Sequence, residues 1–115
     1  LGRADLSRQI IALSQAQGGL PILASDREIL ADLFYTGRDS DLTVHAVPPV
    51  GPPLDYYQQM WALPPAAQND QLYIGATPPG ICAAQLLARL DGKGYWADTQ
   101  LNAYRLSPAC LAASD

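Results

Sequence analysis

Four groups of residues in this sequence carry side chains of the kind that bind or react. The first is Ser25-Asp26-Arg27-Glu28, which follows a short apolar run and opens a helical pattern. In open α/β sheets ligands collect at such strand-to-helix junctions, and helix N-termini attract anions. Asp26 and Arg27 are therefore candidate binding residues, set against the plainer and favoured reading of a capped helix with solvated charges. The second group, Thr77-Pro78-Pro79-Gly80, has the same kind of placement. Its two prolines remove two of the amides an anion needs, so it reads as structural. The third is Tyr56, Tyr57 and Trp61. Tyr57 and Trp61 are four residues apart and share a helical face. Such rings offer flat apolar area with a polar handle to a sugar or a protein partner; the plainer reading is that they cover the core. The fourth is the pair Cys82 and Cys110, with no CxxC spacing. They either form one bridge in an oxidising compartment or serve as two separate small apolar residues.

Several chemistries lack their usual signature. Neither GxGxxG nor GxxxxGK[ST] occurs, so nucleotide binding has little support. No GxSxG nucleophile elbow occurs. His45 is the sole histidine and has no partners at metal-ligand spacing, so it reads as an ordinary strand residue. Asp39 and Asp41 fall in a loop, and no carboxylate pair suited to glycoside hydrolysis stands out. The sequence thus points to no catalytic residue, no metal and no cofactor.

The chain that must position these residues has 115 of them, enough for one domain with one modest core. At 49% apolar it is not a disordered segment. The net charge of −4 leaves no basic field for a phosphate backbone, which argues against a nucleic-acid partner. No apolar run is long enough to span a bilayer, and no signal peptide is visible. The chain opens on Leu1-Gly2 without an initiator Met, which suggests a piece of a longer protein.

Hydrophobic periodicity predicts a helix over 5–17, with Leu6, Ile10 and Leu13 on one face and Gly18-Gly19 as its stop. Residues 21–24 form a buried strand. A second helix follows over about 26–36, with Ser25 and Glu28 at capping-box spacing, Ile29, Leu30, Leu33 and Phe34 inward, and Gly37 as a left-handed C-cap. Residues 42–47 form a second strand, 48–53 a proline-rich loop, 55–62 a short helical turn and 71–76 a third strand. Thr77 and Pro78 begin a third helix that places Ile81, Ala84, Leu87 and Ala88 on one face. Residues 95–97 and 101–106 form a closing hairpin. This order predicts a small three-layer α/β domain: a mostly parallel sheet of about five strands, flanking helices and an antiparallel C-terminal hairpin.

Three stretches resemble bacterial membrane glycosyltransferases of family 39, the protein mannosyltransferase-like and aminoarabinose transferase-like enzymes. Residues 19–35 resemble that family's short strand, acid-Arg pair and helix ending in Tyr, matched by Asp26, Arg27 and Tyr35. The proline-rich loop with Asp55-Tyr56-Tyr57 resembles its Asn-His-Tyr stretch; Tyr57 matches and Tyr56 stands in place of the usual His. Leu101-Asn102-Ala103-Tyr104-Arg105-Leu106 resembles its final strand, where a Tyr-Arg-Leu run is common. The resemblance implies that residues 1–115 are a single extracytoplasmic (periplasmic) domain following the last transmembrane helix. The parent enzyme would move a sugar from a polyprenyl-phosphate donor to a lipid or protein acceptor. The family's catalytic carboxylate belongs to its membrane part, so no catalytic residue carries over. The implied partners are the membrane-embedded part of the same chain and the acceptor, and a periplasmic setting favours a Cys82–Cys110 bridge. Two alternatives stand beside this reading: a stand-alone doubly wound module binding a small anion at Asp26 and Arg27, and a protein-interaction domain using Tyr57 and Trp61.

Overall fold

A computed structural model describes residues 3–47, 52, 60–63, 69–77, 84–90 and 100–107. Helix α1 (Arg3–Ala16) leads into strand β1 (Ile22–Ala24), helix α2 (Arg27–Thr36), and strands β2 (Val44–Ala46), β3 (Gln71–Gly75), β4 (Gln85–Leu90) and β5 (Leu101–Leu106). The strands form one sheet in the order β2-β1-β3-β5-β4. β1 pairs in parallel with β2 (Leu23 opposite His45) and with β3 (Leu23 opposite Tyr73). β5 is antiparallel to β3 and to β4, so a parallel half and an antiparallel hairpin join at β3. The α/β class and the five-stranded sheet are those the sequence predicts.

Side-chain alternation divides the sheet into two faces. Ile22, Ala24, Val44, Ala46, Leu72, Ile74, Leu101 and Ala103 share one buried cluster with Leu6 and Ile10 of α1 and Ile29, Leu30 and Leu33 of α2. Both described helices therefore cover the same face. On the other face Leu23, Tyr73, Tyr104 and Leu106 pack with Leu63. A polar contact ties the two helices in this apolar setting. Ser7 Oγ, itself buried, donates to Asp32 Oδ2 at 2.5 Å, and Thr36 Oγ1 donates to the same oxygen at 3.3 Å.

α1 ends as its sequence predicts. Gly18 and Gly19 adopt φ of +82° and +87°, a region that side chains with a Cβ avoid. The turn is closed by Gly19 N–H donating to Ser14 O (2.9 Å) and Ser14 Oγ donating to Leu20 O (2.7 Å).

Three local expectations are corrected. The cap of α2 is Asp26, not Ser25: its Oδ1 accepts from Glu28 N (2.8 Å) and Ile29 N (3.2 Å). Gly37 does end α2, but at φ −93°, outside the left-handed region. Crowding favours glycine here instead, because a Cβ would lie 2.6 Å from Leu42 Cδ2 and 3.0 Å from Leu33 O, so that Leu42 would have to move. Residues 85–90, expected as the end of a third helix, are strand β4. β5 bonds to β3 along one edge and needs a second partner for its other edge, which β4 supplies. The register of β4 slips between Leu86 and Ala88. Such a bulge breaks the alternation, so Leu87 and Leu90, three residues apart, both pack on the helix-side cluster. A bulged strand thereby imitates helical spacing. The expected strand at 95–97, the helix start at Pro78 and most of the turn at 55–62 lie outside the described residues, as do Cys82 and Cys110.

Two substitutions test this account by urea denaturation. Ser7→Ala removes a hydrogen bond to a carboxylate and should cost about 1.5–3 kcal/mol. Gly37→Ala overpacks the junction of α2 with Leu42 and should cost about 1–3 kcal/mol. An Arg8→Ala control on the exposed face of α1 should stay within about 0.5 kcal/mol of wild type.

Candidate functional site

The sequence-derived site residues divide into two groups separated by the length of α2. Asp26 and Arg27 lie at its amino end and Tyr35 at its carboxyl end, eight residues on, or about 12 Å at 1.5 Å per residue. Tyr57 lies outside the described residues. At the amino end the Asp26 carboxylate already occupies the amides of Glu28 and Ile29. An incoming anion would meet a negative charge where it needs free N–H donors. Arg27, the first helical residue, is exposed to solvent. The geometry of this end suits helix capping.

The carboxyl end of α2 is different. There the chain turns through 37–43 into β2, and α2, this turn, β2 and Trp61 border a groove of about 360 Å³. Leu33, Leu42 and Val44 supply apolar lining, Ser40 and Thr43 hydroxyls, and Arg38 a positive charge. Trp61 closes one side. It reaches the groove because Leu63 N–H donates to Ala46 O (2.9 Å) and Ala62 bridges to Ala46, which lays this segment along the outer edge of β2. The indole sits 5.2 Å from the Phe34 ring, tilted by 48°, and stays 43% exposed. Tyr35 is 67% exposed, with the Arg38 guanidinium 4.2 Å from its ring centroid. Arg38 Nη1 also donates to Tyr35 O at 2.6 Å, so the cation is held at the groove rim. Of the sequence candidates, then, the fold puts Trp61 in the groove lining, Tyr35 beside Arg38 at the carboxyl end of α2, and Asp26 and Arg27 at the opposite end of that helix.

Sequence reasoning missed Phe34, Arg38, Ser40 and Thr43 as groove residues. Arg38 is three residues beyond Tyr35, a helical-face spacing that gave the available signal. His45, read as an ordinary strand residue, also lines the groove. Its Nδ1 is buried and has no hydrogen-bond partner among the described residues, and burial lowers its pKa below the ordinary 6.5. Among the described residues no carboxylate lines this groove, so the described lining offers binding groups and no acid-base pair of the kind glycosidic chemistry uses. Among the described residues no cluster of three or more His, Cys, Asp or Glu could hold a metal. No described helix is long and apolar enough to cross a membrane.

The third resembling stretch has a structural explanation. The Tyr104 ring packs 6.5 Å from that of Tyr73, and its hydroxyl donates to Ala76 O at 3.3 Å. Arg105 Nε pairs with Asp70 Oδ2 at 2.9 Å, and Leu106 is buried. These residues fasten β5 to β3.

The His45 environment makes a pH prediction. The native side chain resists protonation, whereas the unfolded chain takes up a proton below about pH 6.5. Its contribution should be unchanged above that pH and become destabilising as pH falls through 6.5, levelling off below the native pKa. Urea midpoints between pH 8 and 5 should therefore show a smaller decline for His45→Gln than for wild type.

The chain is 35% identical to the lipid A galacturonosyltransferase RgtD of Rhizobium johnstonii, over 97% of its own length. It spans 24% of that relative. No family model matches the chain, and no solved structure matches it. The similarity is to a glycosyltransferase, and it runs through α1, α2 and the whole sheet.

Proposed function

We propose that this chain is the extracytoplasmic C-terminal domain of a membrane glycosyltransferase of family 39. The parent transfers a sugar from a polyprenyl-phosphate donor to a lipid acceptor, with lipid A the first acceptor to examine. The domain itself is non-catalytic: it packs beside the membrane-embedded part of its own chain and helps present the acceptor. The observation that carries this reading is the 35% identity with a lipid A galacturonosyltransferase over 97% of the chain. Two features of the residues support it. The stretches 19–35 and 101–106 that resemble the family fall on the β1-α2 unit and on β5, the two parts that organise the sheet. The described lining of the groove beside Trp61 offers aromatic and hydroxyl groups, which suits holding a saccharide.

The reading is tested on the native polypeptide. An antibody raised against the domain and used on fractionated cells should detect a band several times larger than this chain, in the membrane fraction. A small band in the soluble fraction would remove the proposal. In parallel, the purified domain should neither transfer nor hydrolyse sugar on a glycolipid; turnover by the domain alone would sink its non-catalytic role.

A further inference from the structure

We infer that the groove between the carboxyl end of α2, β2 and Trp61 binds a pyranose ring bearing an anionic substituent. The choice of a saccharide rests on the glycosyltransferase reading; the remainder of the argument is local. The groove holds about 360 Å³, within the range of small-ligand sites. One wall carries an indole that packing leaves 43% exposed, although Phe34 already covers part of it at 5.2 Å. An exposed indole on a concave wall presents a flat apolar surface suited to the C–H face of a sugar, with its N–H as a polar handle. Ser40 and Thr43 add hydroxyls that exchange hydrogen bonds with ring substituents.

The charge preference comes from Arg38. Among the described residues it is the one charged side chain lining the groove, and no described carboxylate lines it beside Arg38. Asp39 and Asp41, on the same turn, are exposed and are not part of the lining. One Arg38 nitrogen is fixed by Tyr35 O, and the guanidinium rests on the Tyr35 ring, which holds its position before any ligand arrives. The remaining N–H groups of the fork match a carboxylate or a phosphate. A sugar acid and a phosphorylated sugar share this chemistry, and the experiment separates them.

The test follows the Trp61 indole and the 38–45 amide signals by NMR while glucuronate, glucose 1-phosphate or glucose is added to the chain. Both charged sugars should shift these signals saturably, with Kd on the order of 1 mM, as suits an open groove. Glucose should bind roughly tenfold more weakly, the loss expected for one charge-assisted contact. The tighter of the two charged ligands identifies carboxylate or phosphate as the preferred group. Arg38→Ala should bring glucuronate down to the level of glucose, and Arg38→Lys should fall between, because it keeps the charge and loses the fork. Acetate and inorganic phosphate alone should not reproduce the indole shift. Equal binding of glucose and the charged sugars, no saturable shift by any of them, or a shift produced by phospholipid vesicles in their place would overturn the inference. A groove indifferent to sugars in a chain whose parent proves to be a membrane transferase overturns this inference alone. A small soluble parent overturns the glycosyltransferase reading whatever the spectra show.

Discussion

Strand β1 is the constraint on which the rest of this domain depends. Its three residues, Ile22, Leu23 and Ala24, are each fully excluded from solvent and are hydrogen-bonded in parallel to a strand on either side. A parallel strand between two others leaves neither face to water, which is why all three side chains are apolar. Parallel neighbours also cannot be joined by a tight turn. The chain must leave β1, cross over one face and return, and α2 is that crossover. α2 then buries Ile29, Leu30 and Leu33 on the sheet, and α1 lies against α2 through Ser7 and Asp32. On the opposite face Leu23 needs its own cover, supplied by Tyr73, Tyr104 and Leu63. The two-sided burial of one short strand thus accounts for both clusters of the core.

The same crossover decides where the groove lies. A helix returning from the end of β1 to the start of β2 brings its own carboxyl end beside the start of β2. Phe34, Gly37 and Arg38 consequently sit next to Thr43 and Val44. The absence of a Cβ at Gly37 lets Leu42 come in close, so the turn folds tightly against α2. Arg38 is then left at the rim, where the Tyr35 carbonyl and ring hold it. The position of the cation follows from the requirement to cover β1.

What the sequence revealed and what it hid follow from the range of the interactions involved. α1, β1, α2, β2, β3 and β5 each carry a local signal: a periodic apolar face, a glycine pair at positive φ, a short apolar run between turns. β4 does not, because its bulge places Leu87 and Leu90 on one side at the spacing of a helix. The difference between Ser25 and Asp26 as the cap is likewise invisible locally, since both residue types accept the same amides. Trp61 and Tyr35 were identifiable as aromatic residues with unassigned surfaces. The pairing of Trp61 with Phe34 was not, since it forms by way of the β2 edge, across a separation of 27 residues in the chain. Asp26 and Arg27 were legible as a strand-to-helix junction, and the fold assigns Asp26 to the helix cap.

An edge strand exposes unpaired amides and carbonyls, and a protein that leaves them bare risks pairing with other chains. Here the segment 60–63 covers the edge of β2 at Ala46, through the Leu63 amide and the Ala62 bridge. The beginning of β2, at Thr43 and Val44, lines the groove. The same backbone contacts therefore protect the edge and help set the opening between Trp61 and Arg38. The groove wall made by Trp61 belongs to the chain that follows the proline-rich stretch, and the wall made by Arg38 belongs to α2. Ala46, whose side chain is buried against the helices, anchors the Trp61 segment to the sheet, and Phe34 of α2 meets the indole directly at 5.2 Å. The core thus reaches the aromatic wall by two routes, through the edge strand and through the helix that covers β1.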